Sequence, residues 1–141
     1  MILLTPQLHT GLRAHAITRH VCEQRGERFD LVPLVKLFNP VGAATWLATE
    51  LDEDGDTLFG LTDLGFGCPE LGSFSLSEIA SVRLPYGLGI ERDIGFETPH
   101  ALSVWGDWSR RAGSILWAET LLRRAAQNPD GDGADPEIPP G

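Results

Sequence analysis

The sequence has few cysteines and no long apolar run. Its 141 residues include two cysteines, Cys22 and Cys68, which are too few for a disulfide framework. Neither has a second Cys or a His at the spacing of a metal-binding motif. No run approaches the ~18 to 20 apolar residues that span a bilayer, and the start at Met1 lacks the basic and apolar regions of a signal peptide. These absences predict a soluble cytoplasmic protein with reduced thiols and no membrane partner.

Motifs for catalysis and cofactor binding are also missing. The serines are not set in a G-x-S-x-G elbow, and the histidines form no H-E-x-x-H pair. Gly87-Leu88-Gly89 lacks the third glycine and the following helix of a phosphate loop. We therefore predict no cofactor and favour a protein that is not an enzyme, while leaving catalysis by clustered carboxylates open.

The acidic run at Asp52, Asp54 and Asp56 looks like a calcium loop at first sight. An EF-hand places glycine sixth and a bidentate glutamate twelfth, whereas Gly55 is fourth here and the twelfth position is Asp63. Asp54-Gly55 is instead a strong turn dipeptide between two strand patterns. The run therefore predicts a solvated hairpin tip without a bound metal.

The composition is that of a globular protein. At 42% hydrophobic and 22% charged residues, the chain can bury an ordinary core. We expect one α+β domain over residues 1–127. Residues 128–141 are rich in Pro, Gly and Asp and cannot bury enough apolar surface to offset ordering, so they predict a disordered acidic tail.

The net charge of −9 is unevenly distributed. Residues 37–100 carry −9, residues 1–36 and 101–127 carry +2 each, and residues 128–141 carry −4. An acidic central segment repels nucleic-acid phosphates and attracts a basic surface. It therefore favours a protein partner with a basic surface over direct nucleic-acid binding. The alternative is that acidic loops only keep a small protein soluble.

Local patterns predict the elements of the fold. Thr5-Pro6 is a helix start and predicts a helix to about residue 15, followed over 16–30 by a helix extension or a loop. β-branched or alternating patterns predict strands over 31–38, 44–51, 57–66 and 91–96, with a short extended piece over 71–75. The expected fold is an antiparallel sheet of about four strands, packed on one face by the N- and C-terminal helices.

Two further helical segments follow. Ser75-Leu76-Ser77-Glu78 is a capping box and predicts a short helix through about Val82. Thr98-Pro99 repeats the helix start, and Gly106 is expected to interrupt that helix before an amphipathic one runs over 107–127.

The best candidates for acid–base or metal chemistry are Glu70, Glu91 and Asp93, together with Arg92. In a strand, Glu91 and Asp93 point to one face and Arg92 to the other. Neighbouring carboxylates can shift one another's pKa or share a divalent metal. The alternative is that they border the sheet and have only a structural role.

Three tryptophans, Trp105, Trp108 and Trp117, lie within thirteen residues of the C-terminal helical region. Aromatic side chains on an amphipathic helix most often pack in a core. Trp105 and Trp108 are nevertheless candidate interface residues, because tryptophan is enriched in binding hot spots.

A series of short blocks runs through residues 3–96. The blocks are Leu3-Leu4-Thr5, Val35-Lys36-Leu37-Phe38-Asn39-Pro40, Thr45-Trp46, Glu53-Asp54-Gly55-Asp56, Pro69-Glu70-Leu71-Gly72-Ser73-Phe74-Ser75-Leu76-Ser77-Glu78, Gly87-Leu88 and Ile90-Glu91-Arg92-Asp93. In these blocks the chain resembles a bacterial family of small proteins of unknown function that is typical of plasmids and mobile elements. The resemblance implies a genomic setting and no mechanism.

Three functions remain open from the sequence. The favoured one is a non-enzymatic accessory protein of a mobile element that binds a protein partner through its acidic central face or its tryptophan helix. The first alternative is an anti-restriction or anti-CRISPR decoy whose carboxylates imitate DNA phosphates. The second is a metal-dependent enzyme that uses Glu70, Glu91 and Asp93.

Overall fold

The computed structural model describes residues 2–128, so all but the first residue of the predicted tail over 128–141 lies outside the described residues. The helices and strands in chain order are α1 Pro6–Gln24, β1 Val35–Phe38, β2 Thr45–Leu51, β3 Thr57–Asp63, β4 Glu70–Ser75, α2 Leu76–Ser81, β5 Glu91–Arg92, α3 Leu102–Ala112 and α4 Ile115–Gln127. A 3-10 turn at Pro85–Gly87 precedes β5. Within residues 2–128, no helix has both the length and the apolar composition needed to cross a bilayer.

The strands form one antiparallel sheet in the order β4-β3-β2-β1-β5. Strands β1 to β4 pair with their sequence neighbours as a meander, and β5 returns to pair with β1. The α+β class and the antiparallel sheet agree with the prediction, but the sheet has five strands rather than about four. The extended piece over 71–75 is the full edge strand β4, and the strand predicted over 91–96 contributes only two paired residues.

The predicted packing of both terminal helices on one face is wrong. Leu12 of α1 joins a core cluster with Trp46 and Ala48 of β2, whereas α3 and α4 pack on Leu47 of β2 and Leu61 of β3. Successive side chains of a strand point to opposite faces, so the helices cover opposite faces. The reason is that β2 is apolar on both sides and both sides must be removed from water.

Helix α1 continues nine residues beyond residue 15, so residues 16–24 are a helix extension rather than a loop. Polar contacts fix the helix to β2. Arg13 Nη1 donates to the Leu51 carbonyl at 2.7 Å, and His15 Nδ1 donates to the Thr49 carbonyl at 2.8 Å. Within the extension, Arg19 donates to the Glu50 carboxylate at 2.5 Å. A hydrophobic pattern cannot reveal an amphipathic helix whose contacts are partly polar.

The C-terminal helices separate at Gly113, not at Gly106. Gly106 lies inside α3, while Gly113 has φ +90° and ends that helix in the left-handed region that favours glycine. Ser114 then caps α4 by accepting from the Trp117 N–H at 3.0 Å. The buried Asp63 also accepts from the Ile115 N–H at 2.9 Å, which ties the start of α4 to the sheet.

The strand β3 has one position that only glycine can occupy. The register between β2 and β3 shifts between Ala48 and Glu50, and a Cβ built on Gly60 would lie 1.7 Å from the Leu47 carbonyl oxygen. Gly72, its cross-strand partner on β4, has no atom within 4 Å of the corresponding position. The sheet therefore requires glycine at one of two paired positions.

We predict that Gly60→Ala lowers the free energy of unfolding by about 3 kcal/mol or more, because a backbone clash in a packed sheet cannot relax locally. Gly72→Ala is the matched control and should be neutral or stabilise by about 0.5–1 kcal/mol. Urea unfolding of both variants is the measurement. Equal effects at the two positions would contradict the predicted difference.

Candidate functional site

The sheet order separates the three acids predicted to share acid–base or metal chemistry. Glu70 lies on the edge strand β4, whereas Glu91 and Asp93 lie at the opposite edge on and beside β5. Four strand spacings of about 4.8 Å put the two edges roughly 19 Å apart. The three carboxylates therefore cannot bind one metal ion together. Within residues 2–128, no three His, Cys, Asp or Glu side chains form a group that could hold one.

The hairpin acids Asp54 and Asp56 have structural hydrogen bonds. Asp54 accepts from the N–H groups of Asp56 and Thr57 at 2.8 Å and from the Thr57 hydroxyl at 2.6 Å. Asp56 accepts from the Ser75 hydroxyl at 2.6 Å and from the Ser77 N–H at 2.7 Å. The first carboxylate thus closes the β2–β3 turn, and the second joins the turn to the start of α2.

These hydrogen bonds lower both pKa values. The hydrogen bond from the Thr57 hydroxyl is the main cause for Asp54, and the hydrogen bond from the Ser75 hydroxyl is the main cause for Asp56. Both pKa values lie below the ordinary 3.8, because each bond favours the charged carboxylate. The tip of the hairpin therefore keeps its negative charge under all but strongly acidic conditions.

Asp52 lies at the base of the same hairpin. It lines a shallow cavity of about 340 Å³ together with Arg19, Glu23 and Glu50. Arg19 donates to Glu50 at 2.5 Å and to Glu23 at 2.8 Å, so its charge is already balanced by these two carboxylates. Asp52 and the exposed Glu53 are therefore the hairpin acids whose side chains make the fewest hydrogen bonds within the described residues.

Trp105 is a core residue, and Trp108 is half-buried beside it. Trp105 is only 3% exposed, packs against Phe96 and donates from Nε1 to the Thr98 hydroxyl at 3.1 Å. Trp108 packs against the same cluster on the α3–α4 face of the sheet. Trp117 is the more exposed side chain, with the Arg124 guanidinium 5.4 Å from its ring centre. The burial of Trp105 leaves it no surface for an interface, whereas an interface through Trp108 stays a prediction.

A cleft of about 470 Å³ lies where β1, β5 and α4 meet, and we call it the β5 cleft. Its charged lining residues are Lys36, Glu91, Arg92 and Asp93, and Phe38, Ile94 and Leu116 supply apolar surface. Glu91 pairs with Phe38 across the strands, which brings both residues to this edge of the sheet. The prediction that Glu91 and Asp93 lie together thus agrees with the structure.

Lys36 organises the inner end of the cleft. It is the only lysine in the sequence, and its side chain is 8% exposed. Its Nζ lies 2.9 and 3.1 Å from the two carboxylate oxygens of Glu119 and 3.6 Å from Asp93. The sequence analysis did not identify Lys36 or Glu119 as site residues, because the two are 83 residues apart. The only local signal is that Lys36 is a charged residue within an apolar strand.

Glu91 differs from the other acids of the cleft. Asp93 is paired with Lys36 and also accepts from the Gly95 N–H at 3.2 Å. By contrast, no hydrogen bond or ion pair to the Glu91 carboxylate occurs within the described part of the chain. The cleft therefore has two carboxylates beside apolar surface. Asp93 is already paired with Lys36, and Glu91 has no partner among the described residues.

Arg92 serves the N-terminal segment rather than the acids beside it. Its Nη1 donates to the carbonyls of Ile2 and Leu3 at 3.1 and 2.8 Å. Leu3 is buried in the core cluster shared with α1. Arg92 therefore fixes the start of the chain against β5, which is a structural role.

The comparisons with known proteins identify a family and no activity. A family model described as "Protein of unknown function (DUF2958)" matches residues 3–116. No curated protein and no solved structure matches the chain. The matched range includes Lys36, Glu91 and Asp93 of the β5 cleft and ends before Glu119.

We predict that Lys36→Met lowers the free energy of unfolding by about 3 kcal/mol, because it leaves Glu119 half-buried without its main cation. Arg123→Gln is the control. Arg123 is 62% exposed and lies 3.7 Å from Glu119, so its loss should cost no more than about 0.5 kcal/mol. Adding Glu119→Gln to Lys36→Met should cost less than the two single changes together. A strictly additive double variant would show that the pair is not coupled.

Acid unfolding should report the hairpin hydrogen bonds. The pKa values of Asp54 and Asp56 are lowered in the folded state, so their contribution to stability is full above about pH 4 and is lost as the pH falls through the folded values. As the pH is lowered below about 4, the urea midpoint of the native protein should therefore decrease, and the decrease should be smaller in Asp56→Asn. Glu53→Gln removes a charge from the same turn without removing a hydrogen bond and gives the effect of charge alone. Identical pH curves for Asp56→Asn and the native protein would contradict this role.

Proposed function

Because the chain belongs to the DUF2958 family, whose function is unknown, we propose from its geometry that it is a non-enzymatic accessory protein that binds a basic segment of a partner protein in the β5 cleft. The observation that carries the proposal is the free carboxylate of Glu91 beside Asp93 in a cleft with apolar walls. The partner belongs to the plasmid or mobile-element setting that the sequence resemblance implies.

The chemistry of the cleft suits a lysine or arginine side chain. Such a side chain has an apolar stem and a charged end, and the cleft has apolar residues next to carboxylates. Ile94 is 78% exposed and Leu116 is 41% exposed, so both can cover the stem of an incoming side chain. Glu91 can then accept charge-assisted hydrogen bonds, which are about twice as strong as neutral ones.

The cleft is less suited to a free anion or to nucleic acid. Its only lysine is already paired with Glu119 and Asp93, and the central segment of the sequence carries a net charge of −9. Arg92 also lines the cleft, but its guanidinium donates to the carbonyls of Ile2 and Leu3. A phosphate group would therefore be repelled by the carboxylate of Glu91.

A second candidate is the acidic decoy of DNA, and the hairpin favours it. Asp52, Glu53 and Asp54 are exposed at one tip, and hydrogen bonds lower the pKa of Asp54 and Asp56. Neutralising Asp54 or Asp56 would damage the turn, so the informative variant is Asp52→Asn with Glu53→Gln. A decoy should lose its inhibition of a DNA-cleaving enzyme in that variant, whereas the β5-cleft function should be unaffected.

The test of the proposed function is an NMR titration with a hexapeptide of alternating arginine and leucine. We expect amide shifts over residues 91–95 and at Leu116, and an affinity at least about tenfold lower in Glu91→Gln/Asp93→Asn. Glu27→Gln, at an exposed position after α1, is the matched control and should bind like the native protein. Shifts confined to residues 52–57 would favour the decoy, and no shift at residues 91–95 would refute the proposal.

A further inference from the structure

Strand β4 ends the sheet with a row of outward-facing backbone groups. The Leu76 N–H donates to the Asp56 carbonyl at 2.9 Å, so these two residues form a hydrogen-bonded pair in the β3–β4 register. In an antiparallel ladder such pairs alternate with non-bonded ones. Glu70, Gly72 and Phe74 therefore point their backbone groups at β3, while Leu71 and Ser73 point theirs away from the sheet.

These outward groups have no partner within residues 2–128. No backbone or side-chain hydrogen bond from the described residues reaches the N–H or C=O of Leu71 or Ser73. Natural proteins usually protect such an edge with lysine, proline, a bulge or a very short strand. The opposite edge strand, β5, is only two residues long, but β4 is six residues long and contains no lysine or proline.

The α2 side of β4 combines apolar surface with negative charge, whereas Arg110 of α3 lies near Leu71 on the other side. Leu64, Phe66 and Leu71 are 55%, 82% and 43% exposed at this edge. A groove of about 480 Å³ runs between β4 and α2, and its lining includes Glu70 and Glu78 but no basic residue. A strand that alternates basic and apolar side chains would match both features.

We propose that β4 is a docking edge that adds an extended segment of a partner protein, with alternating basic and apolar residues, as a sixth strand. Main-chain hydrogen bonds to Leu71 and Ser73 would provide affinity, and the acids of the groove would select the basic side chains. A second copy of this chain fits less well, because pairing two β4 edges brings Glu70 and Glu78 of both copies to one seam. The proposal uses a different edge from the β5 cleft and does not depend on it.

The experiment uses the full chain with Glu91→Gln/Asp93→Asn, so that the β5 cleft cannot contribute, and a fluorescent hexapeptide of alternating lysine and valine. Anisotropy should show saturable binding, and a peptide with glutamate in place of lysine should not bind. Ser73→Pro removes one outward N–H while sparing the ladder to β3, and should weaken binding about tenfold or more. Glu70→Gln/Glu78→Gln should weaken binding about threefold or more and flatten its dependence on salt.

Two N-methylated peptides keep the test independent of the folding of Ser73→Pro. Alternate N–H groups of a strand face the same edge, so methylating either all lysines or all valines blocks one edge only. One of the two peptides should lose binding and the other should keep it. Equal binding of both would overturn the proposal, as would unchanged binding to Ser73→Pro with a native thermal midpoint. A dimer of the native protein that becomes monomeric in Ser73→Pro would assign the edge to a second copy and overturn the proposed occupant.

Discussion

The burial of β2 on both faces is the constraint on which the rest of the structure depends. All seven residues from Thr45 to Leu51 are buried, and their apolar side chains alternate between the α1 face and the α3–α4 face. A strand of this kind is stable only if both faces of the sheet are covered. The N-terminal helix and the C-terminal helix pair must therefore lie on opposite sides. The helices cover the two faces of the sheet, and the edges are the surfaces on which our proposals rest.

Covering both faces also forces the polar residues of the inner strands to find partners. Lys36 of β1 is enclosed by Glu119 of α4 and by Asp93. Glu50 of β2 is paired with Arg19 of α1. A buried charge without such a partner costs several kcal/mol, so each pair restricts where its helix can lie. Among the residues that the structure describes, the same pairing leaves the Glu91 carboxylate of the β5 cleft without a structural partner.

The two edges of the sheet then differ in what they offer. The β5 edge is short, is held by Arg92 against the start of the chain, and presents a carboxylate-lined cleft of side-chain size. The β4 edge is long and presents backbone hydrogen-bonding groups beside an apolar and acidic groove. We propose basic ligands for both edges, a single side chain at the β5 edge and an extended strand at the β4 edge, in agreement with the negative charge of the central segment.

Local sequence determined the elements themselves, because caps, turn dipeptides and alternation act over a few residues. Thr5-Pro6 began α1, Asp54-Gly55 formed the hairpin, and the Ser75 cap began α2, all as expected. Long-range packing decided the rest. Local patterns do not show that Gly113 rather than Gly106 breaks the C-terminal helices. They also do not show that Glu70 lies across the sheet from Glu91, or that Lys36 meets Glu119, because these relations depend on the order of strands and the faces they present.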